Sequence, residues 1–532
     1  MTDIVAPVFV RTIEAAMPQI AAAMQQGADM IELRCDQADS GTIASMLTRP
    51  EVRSKPVIVT IRGRAEGGLF AGTEAERLAF ITRACRFHPD YVDIEFDSWR
   101  QNHEFVAEIL PMLAGADDNV SGKPQLILSN HDFTARPADL RQRLLAMAGV
   151  KPARIIKAAY RAKNLSDALE ALRLYHELPK IIPQPLVLIA MGEPGLMTRI
   201  LAAKYSAAFT FAVPSGGDTT APGQPTIAEL MHLYRFKKQQ RDWPVYGVIG
   251  WPVSHSISPM VHNAGFQAVN FPGVYVPLPI EPEYEAFEST VTAMRELPEF
   301  NLRGVSVTIP HKAHAARYVE CRGGILDDTS ARIGAINTLY FPAHGPVSGT
   351  NSDWFGAIEA VRAGTGWNLT DLAQKRIAVL GAGGAARAIV AGFASLGSTV
   401  VVYNRTARRA QALAFEFNGK SGQVSAAQLD EFSPRGCHIL INCTPAGMAP
   451  DVKAIALENP DVIHSSMVVF DTVYNPRQTR LLNIAAQRGA KTIEGLEMFL
   501  RQAVVQFEGF TGAAAPLRIM RVAAEAALER KQ

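Results

Sequence analysis

Long apolar runs are absent from this sequence, and no stretch approaches the about 18 consecutive apolar residues that a membrane-spanning helix needs. The first residues, MTDIVAPVFVRTIE, lack the charged start and apolar core of a secretory signal. No leader rich in serine and arginine is seen either, which argues against a plastid precursor. We therefore expect a cytoplasmic protein with no membrane partner.

Neither sign of charge dominates, because 53 Lys and Arg stand against 51 Asp and Glu, for a formal net charge of +2. Basic runs are missing as well, which argues against a nucleic-acid partner. The five cysteines are scattered and form no C-x-x-C pair, so free thiols in a reducing compartment are favoured over disulfides or zinc. No residues have the spacing of metal ligands, and we expect no metal.

What the chain does contain is apolar material for several cores, since 48% of its residues are hydrophobic and 20% are charged. At about 100–200 residues per domain, 532 residues predict three domains, or two large ones with a subdivision. Strands and amphipathic stretches alternate throughout, so the fold class is α/β.

The first half repeats a strand and a connecting stretch eight times. The strand-like segments are 4–10, 30–35, 57–62, 91–97, 125–130, 154–160, 186–191 and 209–214. Their Val, Ile and Leu content is typical of a parallel sheet buried on both faces. Eight units in roughly 230 residues match a (β/α)8 barrel. An open doubly wound sheet is the alternative, because periodicity alone does not show closure.

Polar or functional side chains stand where several of these strands stop, namely Arg34, Arg62, Glu95, His131 and Met191. A (β/α)8 barrel places its active site at the carboxyl ends of its strands. Charges inside apolar runs are costly unless they are paired or functional. Any one of these residues could simply cap a loop, but the set indicates a site.

Lys157 lies inside the apolar run RIIKAAY. Burial there disfavours the charged ammonium and leaves the amine nucleophilic, which suits Schiff-base chemistry. His131 ends the preceding strand and could act as general acid and base. Alternatively, Lys157 extends to solvent from an edge strand and His131 is a buried histidine bonded to backbone.

The pattern changes at 233–244, a polar and basic stretch that ends in Trp-Pro and is typical of a linker. A strand and a helix that begins near Ser258 follow it. A strand, a glycine turn, a helix and a second strand then span 375–406, and the carboxyl-terminal tail is helical.

The turn in 375–406 has the G-x-G-x-x-A spacing of dinucleotide-binding units, with Gly381, Gly383 and Gly384 between strand and helix. Such glycines let the backbone approach a pyrophosphate at the helix amino terminus. Where NAD-binding units place an acid, this chain has Arg405, followed by Arg408 and Arg409. Since arginine pairs with phosphate, we predict NADP(H) rather than NAD(H). An exposed basic helix start is the alternative.

Lys312 and Asp353, which precede this turn in the chain, are suited to carbonyl reduction. Lys312 in VTIPHK can donate a proton to a forming alkoxide, and Asp353 in GTNSD can hold that lysine in place. Taken separately, Lys312 would be a solvated surface lysine and Asp353 a helix cap.

These phrases carry a resemblance to shikimate dehydrogenase over residues 246–512, which share its HSxSP, VTxPxK, GAxNT, GxNxD, GAGGAARA, NRT, YNP and EGLEM motifs. The resemblance implies reduction of 3-dehydroshikimate by NADPH, with Lys312 and Asp353 as the catalytic pair. It implies that Ser256, Ser258 and Tyr474 bind the substrate carboxylate, and that Thr308, Asn337 and Gln502 contact the ring hydroxyls. It implies cofactor contacts from Gly381, Gly383, Gly384, Ala385, Asn404, Arg405, Thr406, Arg409, Gly495 and Met498. Ser306 and Ser352 depart from the family's usual Asn and Thr.

Residues 1–230 resemble type I 3-dehydroquinate dehydratase, through the phrases ELRCD, TIR with EGG, DIE, SNHDF, the Lys157 run, and APGQ. The resemblance implies that Lys157 forms an imine with the ring ketone of 3-dehydroquinate. His131, oriented by Glu66, would remove the adjacent proton and assist loss of water. It also implies that Arg199 pairs with the substrate carboxylate and that further contacts come from Glu32, Arg34, Arg62, Thr220 and Gln224. Thr220 replaces the family's usual Ser, and no metal is implied.

The product of the first reaction is the substrate of the second, so the chain resembles the bifunctional fusion of the two enzymes. The implied domains are the barrel at 1–232, a linker at 233–244, a substrate domain at 245–348 with helices at about 495–532, and a Rossmann domain at 349–494. The alternatives are an oxidative quinate or shikimate dehydrogenase and an inactive quinate-pathway regulator. Asp36, Asp93, Glu95 and Asp328 can serve either in ligand contact or in the scaffold.

Overall fold

The structure, a computed structural model, describes residues 1–115, 122–216, 223–419 and 422–530. The predicted substrate residue Thr220 lies outside these ranges. The chain divides into two compact units. The first comprises Met1–Val245, Pro272–Glu281 and Ser289–Leu302, and the second comprises Tyr246–Phe271, Pro282–Glu288 and Arg303–Gln532.

The first half alternates strands and helices from its first residues. Its elements are β1 Asp3–Phe9, α1 Ile13–Gln25, β2 Met30–Arg34, α2 Ser40–Leu47, α3 Pro50–Arg53, β3 Val57–Thr60, α4 Glu74–Cys85, β4 Tyr91–Glu95, α5 Phe96–Gln101, α6 His103–Ile109, β5 Gln125–Asp132, α7 Leu140–Ala148, β6 Ala153–Arg161, α8 Leu165–Glu177, β7 Leu186–Met191, α9 Leu196–Ile200 and β8 Phe209–Phe211. The last strand is shorter than the predicted 209–214.

These eight strands form one parallel sheet in the order β7-β6-β5-β4-β3-β2-β1-β8. The order never reverses, as it would in an open doubly wound sheet. At the seam between β7 and β8, the N–H of Ala208 donates to the carbonyl of Leu186 at 2.9 Å. Apolar side chains such as Val5, Ile127 and Val187 fill the interior. The prediction of a (β/α)8 barrel is confirmed.

Local signals set the helix starts around this barrel. At α4, the Thr73 side chain accepts from the N–H of Glu76, and the Glu76 carboxylate accepts from the N–H of Thr73. At α8, the Asn164 side chain accepts from the N–H of Asp167. Both helices therefore begin where the sequence offers a capping residue.

The stretch 233–244 packs on the first unit. Phe236 in it is fully buried, and the amide of Gln239 donates to the carbonyl of Ile200 at 3.0 Å. The ammonium of Lys237 donates to the carbonyl of Thr2 at 2.9 Å. The composition of this stretch predicts a linker, but in the structure its side chains make contacts within a compact unit.

The second half contains shorter strands and longer helices. Its elements are β9 Val245–Gly250, α10 Ser258–Ala268, β10 Val274–Pro279, α11 Tyr284–Glu296, β11 Leu302–Val307, α12 Lys312–Cys321, β12 Ile325–Leu326, α13 Asp328–Ile333, β13 Thr338–Tyr340, β14 Ser348–Thr350, α14 Asp353–Thr365, α15 Leu369–Ala373, β15 Arg376–Leu380, α16 Gly384–Leu396, β16 Thr399–Asn404, α17 Ala407–Phe417, β17 Val424–Gln428, β18 Ile439–Asn442, β19 Val468–Asp471, α18 Arg480–Gln487, β20 Lys491–Ile493, α19 Gly495–Thr511 and α20 Leu517–Glu529.

Two kinds of sheet occur in the second unit. Strands β11, β13 and β14 pair antiparallel, and β12 joins β14 in parallel. A separate sheet has the order β17-β16-β15-β18-β19-β20 with all strands parallel. This order, with its switch point between β15 and β18, is that of the Rossmann fold and confirms the predicted dinucleotide-binding topology.

Candidate active sites

Lys157 lies on β6 with its side chain directed into the barrel interior. It is only 4% exposed, and its Nζ donates to Asp93 Oδ2 at 2.8 Å. Nζ also lies 3.9 Å from Glu32 Oε1 and 4.6 Å from the centre of the Phe211 ring. The alternative of a lysine that extends to bulk solvent is therefore wrong.

Asp93 on β4 is the centre of a buried polar network. Its Oδ1 accepts from Arg62 Nη2 at 2.7 Å and from Ser129 Oγ at 2.6 Å. Burial by itself raises the pKa of Asp93, but Arg62 and Lys157 outweigh it and hold that pKa far below its ordinary range. From the sequence, Asp93 can serve either in the scaffold or in ligand contact. In the structure it accepts a hydrogen bond from Lys157.

His131 near the end of β5 is bound to Glu66, which lies in a single turn of 3-10 helix after β3. Glu66 Oε2 accepts from the N–H of His131 and lies 2.8 Å from His131 Nδ1. Burial and the charges of Arg62 and Lys157 lower the pKa of His131 well below its ordinary value. Burial also raises the pKa of Glu66 to about 8, against the charge of Arg62. An uncharged imidazole beside Lys157 is suited to accept a proton.

Arg34 and Asp36 form a neighbouring pair. Arg34 Nη2 donates to Asp36 Oδ2 at 2.8 Å, and Asp36 also accepts the backbone N–H groups of Arg62 and Leu69 at 3.0 Å each. Asp36 therefore fixes the chain after β3 and holds the Arg34 guanidinium. These contacts place Asp36 in the scaffold of the site.

Arg199 on α9 is buried at 2% exposure, and its Nε and Nη1 have no hydrogen-bond partner within the described ranges. Burial lowers the pKa of Arg199 to about 10, so the guanidinium keeps its charge at neutral pH. A buried cation with free N–H groups is suited to bind a carboxylate in bidentate fashion. Gln224, also predicted to bind substrate, is half-buried.

A second polar centre lies in the other unit, where Lys312 begins α12 and Asp353 begins α14. Lys312 Nζ donates to Asp353 Oδ2 at 2.6 Å, and Asn337 Nδ2 donates to Asp353 Oδ1 at 2.9 Å. The N–H of Asp353 donates to Asn351 Oδ1 at 2.9 Å. The amino terminus of α14 favours the negative charge of this carboxylate. The structure thus joins the predicted pair and orients it.

Asn337 also ties this pair to α19. Its Nδ2 lies 3.2 Å from Gln502 Oε1 and 3.0 Å from Ser352 Oγ, while the N–H of Ser352 donates to Asn337 Oδ1. Ser352, which departs from the family pattern, therefore supports Asn337. Buried Gln506, which sequence reasoning missed, donates to the Asn337 carbonyl at 3.0 Å and accepts from Ser306 at 2.7 Å. The unusual Ser306 was the only signal that pointed to it.

The other predicted substrate residues of this unit form separate groups. Ser256 Oγ and Ser258 Oγ lie 3.1 Å apart, and Ser258 is buried. Tyr474 packs on Phe499 with ring centres 5.0 Å apart, and burial raises the pKa of Tyr474 to about 12. Thr308 is half-buried after β11. All four keep their hydroxyl groups protonated at neutral pH.

The glycine turn follows β15 as predicted. Gly381 has φ +106, which favours glycine, and its N–H donates to the Tyr403 carbonyl at 2.7 Å. Gly383 caps α16 in extended conformation, and a Cβ built on it meets no atom within 4 Å. A Cβ on Gly384 would lie 3.4 Å from Cδ of Lys312. The lysine therefore approaches the same helix amino terminus that is suited to bind a pyrophosphate.

The predicted cofactor residues after β16 lie at the surface. Arg405, Thr406 and Arg409 are exposed, and Asn404 Nδ2 donates to the Thr406 carbonyl at 2.9 Å. No acidic residue occurs between 404 and 409. Exposed guanidinium groups here are suited to a phosphate rather than to an uncharged ribose hydroxyl.

The remaining predicted cofactor residues are packed more tightly. Gly495 begins α19 where a Cβ would lie 2.5 Å from the Val473 carbonyl oxygen, and Met498 is buried in the apolar core. Ala385 is half-buried in the first turn of α16.

Among the described residues, no helix has the length and apolar character to cross a bilayer, and no three potential metal ligands cluster.

Comparisons with protein-family models match four successive segments of the chain. The model of "Type I 3-dehydroquinase" matches residues 4–241. The shikimate dehydrogenase substrate binding domain matches 248–339, "Shikimate / quinate 5-dehydrogenase" matches 366–481, and the shikimate 5′-dehydrogenase C-terminal domain matches 495–525.

Individual relatives cover one or both halves. The chloroplastic bifunctional 3-dehydroquinate dehydratase/shikimate dehydrogenase of Arabidopsis thaliana is 36% identical over 526 residues, which cover 96% of this chain and 82% of that protein. The shikimate dehydrogenase (NADP(+)) of Methanocella arvoryzae is 39% identical over 286 residues, 53% of this chain and 99% of that one. A crystal structure of shikimate 5-dehydrogenase from Thermus thermophilus with NADP(H) and shikimate is 32% identical, covers 53% of this chain and 99% of that one, and has a TM-score of 0.47.

Proposed function

Because this chain belongs to the family of bifunctional 3-dehydroquinate dehydratases/shikimate dehydrogenases, we propose how its residues share the two reactions. The chain dehydrates 3-dehydroquinate to 3-dehydroshikimate and reduces 3-dehydroshikimate to shikimate with NADPH. The observation that carries the residue assignment is a lysine, 4% exposed, that donates to Asp93 inside a barrel and whose charge helps to keep His131 neutral.

In the dehydratase site, the Lys157 amine attacks the ring ketone after passing its proton to the uncharged His131, which then gives that proton to the departing ketone oxygen. Loss of the ketone oxygen as water leaves an imine, which acidifies the adjacent C–H. His131, held by Glu66, takes that proton and returns it to the departing hydroxyl, which leaves as a second water. Hydrolysis of the imine then restores the amine and releases the product.

Arg199 binds the carboxylate of this substrate, since its free N–H groups are the unsatisfied buried donors of the site. Glu32, Arg34 and Arg62 bind ring hydroxyls, together with Thr220 and Gln224 after β8. Polar side chains that are already fixed by partners lose little entropy when the substrate binds.

In the reductase site, the open turn at Gly383 and the exposed Arg405 and Arg409 fit NADPH, which supplies a hydride when bound. Lys312 donates a proton to the carbonyl oxygen as it becomes an alkoxide, and Asp353 holds the ammonium in place. Ser256, Ser258 and Tyr474 bind the carboxylate, while Thr308, Asn337 and Gln502 contact the ring hydroxyls.

The dinucleotide is held by the turn and by the start of α17. Its contacts are Gly381, Gly383, Gly384, Ala385, Asn404, Arg405, Thr406, Arg409, Gly495 and Met498. Within this proposal the dehydratase occupies 1–232, the substrate domain of the reductase occupies 245–348 with about 495–532, and the dinucleotide-binding domain occupies 349–494. The five free cysteines favour a cytoplasmic location.

The two alternatives are less favoured. An oxidative quinate or shikimate dehydrogenase that uses NAD has no need of Arg405 in place of an acid. An inactive regulator would have no reason to keep the contacts that join Lys157 to Asp93 and Lys312 to Asp353. Both pairs bury charge at a cost in solvation, which catalysis explains.

Borohydride trapping tests the dehydratase assignment. With 3-dehydroquinate present, reduction of the imine should add the mass of 3-dehydroquinate or 3-dehydroshikimate less one oxygen atom to the full chain, and Lys157→Ala should show no adduct. The exposed Lys163→Ala variant is the matched control and should be trapped as wild type. An adduct that persists in Lys157→Ala, or its absence in wild type, would contradict the assignment.

A further inference from the structure

Arg77 on α4 is a buried arginine outside the groups assigned above. It is 1% exposed, and its Nη1 donates to Glu95 Oε2 at 2.7 Å and to the Ile61 carbonyl at 2.6 Å. Its Nε and Nη2 donate to the Glu74 carboxylate at 2.8 and 2.7 Å, and Nη2 also donates to Ser98 Oγ. The guanidinium is thus fully satisfied and fixed in one orientation.

Glu95, the central partner of Arg77, faces the dehydratase site with its other oxygen. Glu95 Oε1 accepts from the N–H of Gly63 at 2.9 Å and lies 3.2 Å from Arg62 Nη1. The sequence left Glu95 between ligand contact and scaffold. The Glu95 carboxylate therefore bridges two arginines. Arg62 belongs to the dehydratase site, and Arg77 does not.

Arg62 then connects Glu95 to the lysine through Asp93. Arg62 Nη2 donates to Asp93 Oδ1 at 2.7 Å, and Asp93 Oδ2 accepts from Lys157 Nζ at 2.8 Å. Buried ion pairs therefore run without interruption from α4 to the reacting amine. A change at Arg77 can reach Lys157 through three intervening side chains that all lie in the barrel.

The charges around Arg62 show why a second arginine is needed. Three carboxylates lie near this guanidinium, Asp93 at 2.7 Å, Glu95 at 3.2 Å and Glu66 at 3.8 Å. Lys157 also pairs with Asp93, and burial, which raises the pKa of Glu66 to about 8, favours the neutral form of Glu66, so Glu95 is the buried anion that most needs a further cation. Arg77 supplies the second cation and takes Glu95.

We propose that Arg77 is a positioning residue of the dehydratase. By binding Glu95, it keeps Arg62 bonded to Asp93 at 2.7 Å and to Ser129 at 2.9 Å, and Asp93 then keeps the Lys157 amine aimed at the substrate ketone. The inference rests on the proposed role of Lys157 in imine formation. A merely structural Arg77 would instead fasten α4 to the strands through Glu95 and the Ile61 carbonyl, with consequences for stability alone.

The first test is Arg77→Met in the full chain. We expect the dehydratase kcat to fall at least tenfold, and the rate of borohydride trapping with 3-dehydroquinate to fall by the same factor. The reductase activity of the same molecule should stay within twofold of wild type and serves as an internal control. Glu74→Gln, which leaves the bond to Glu95 intact, should keep dehydratase kcat within twofold. A wild-type trapping rate in Arg77→Met would overturn the proposal.

The second test removes both charges. In Arg77→Met/Glu95→Gln the carboxylate that Arg77 neutralises is removed together with Arg77, and the neutral amide introduced at position 95 can still accept from the N–H of Gly63. We expect this variant to fold even if Arg77→Met does not fold. Its dehydratase kcat should lie within threefold of the kcat of Glu95→Gln alone. A kcat tenfold or more below that of Glu95→Gln would overturn the proposal, because a structural role gives additive losses.

The two proposals fail in different ways. If wild type forms no adduct with 3-dehydroquinate, the role of Lys157 fails and Arg77 has nothing to position. If wild type is trapped at Lys157 while Arg77→Met is trapped equally fast, only the role of Arg77 fails.

Discussion

Two lysines carry the proposed chemistry of this chain, and each is bound by one aspartate. Lys157 donates to Asp93 at 2.8 Å deep in the barrel, whereas Lys312 donates to Asp353 at 2.6 Å at the start of two helices. The first amine must become uncharged to bond carbon, while the second must stay protonated to donate. The two sites therefore use similar ion pairs for opposite purposes.

A substitution at Lys312 separates catalysis from binding. Lys312→Ala removes an interaction made with the developing alkoxide, so we expect kcat for 3-dehydroshikimate reduction to fall by about 10²–10⁴-fold with KM changed less than threefold. Steady-state kinetics with NADPH measures both constants. Dehydratase activity of the same variant should match wild type, and equal effects on kcat and KM would instead indicate a role in binding.

At the scale of elements, the parallel strands explain why distant residues meet. The carboxyl halves of β4, β5 and β6 lie side by side, with Asp93 paired in register to Ile127 and Ser129 to Lys157. In the other unit, β15 and α16 bring the glycine turn to the amino terminus of a helix. In both arrangements polar groups lie at the carboxyl ends of strands or at the amino terminus of a helix, where these folds bind ligands.

Two glycines of the turn should respond differently to alanine. Gly383 has ordinary φ and free space around it, so Gly383→Ala should leave the thermal midpoint within about 1 °C but raise KM for NADPH at least tenfold by obstructing the pyrophosphate. Gly381 has φ +106, so Gly381→Ala should cost about 1–3 kcal/mol of stability. Thermal unfolding and NADPH titration distinguish the two. An unchanged KM in Gly383→Ala would argue against the predicted cofactor site.

Asp471 at the end of β19 predicts a pH-dependent stability. It is fully buried and bound by Thr479 and Asn442, and burial raises its pKa to about 6 from 3.8. Between these values the folded chain keeps a proton that the unfolded chain releases. The contribution of Asp471 to stability is therefore present below about pH 4 and is lost as the pH rises to about 6.

The matching experiment compares Asp471→Asn with wild type by denaturant unfolding at pH 4 and at pH 6.5. Because asparagine does not titrate, the variant should gain up to about 3 kcal/mol relative to wild type across this window. The exposed Asp430→Asn should show no such trend. A difference that stays constant with pH would contradict a buried, protonated Asp471.

At the scale of the whole molecule, the two proposed sets of catalytic groups lie in two compact units of one chain. Each set lies within one unit. The first unit contains Lys157, Asp93, Arg62 and His131, and the second contains Lys312, Asp353 and Asn337. Loss of one activity should therefore leave the other intact.

Mixing two inactive variants tests this independence. Neither Lys157→Ala nor Lys312→Ala alone should convert 3-dehydroquinate and NADPH to shikimate at more than about 1% of the wild-type rate. Their mixture should restore shikimate formation, because 3-dehydroshikimate released by one molecule reaches the other through solution. NADPH oxidation at 340 nm follows the reaction. A mixture as inactive as its components would contradict separate, freely accessible sites.

The sequence by itself determined the fold class and indicated most of the proposed site residues. Apolar periodicity and the short motifs around Gly381, Lys312 and His131 lie within a few neighbouring residues, so local spacing records them directly. The same holds for the pairing of two reactions, because both sets of motifs occur on one chain.

Only the tertiary structure decided which side chains are partners. Closure of the barrel rests on a contact between the last two strands, and the bond from Lys157 to Asp93 joins residues 64 positions apart. Arg77 and Gln506 resemble ordinary helix residues in the sequence, and their roles follow from burial beside Glu95 and Ser306. Such contacts depend on strand register and helix packing, which no local pattern encodes.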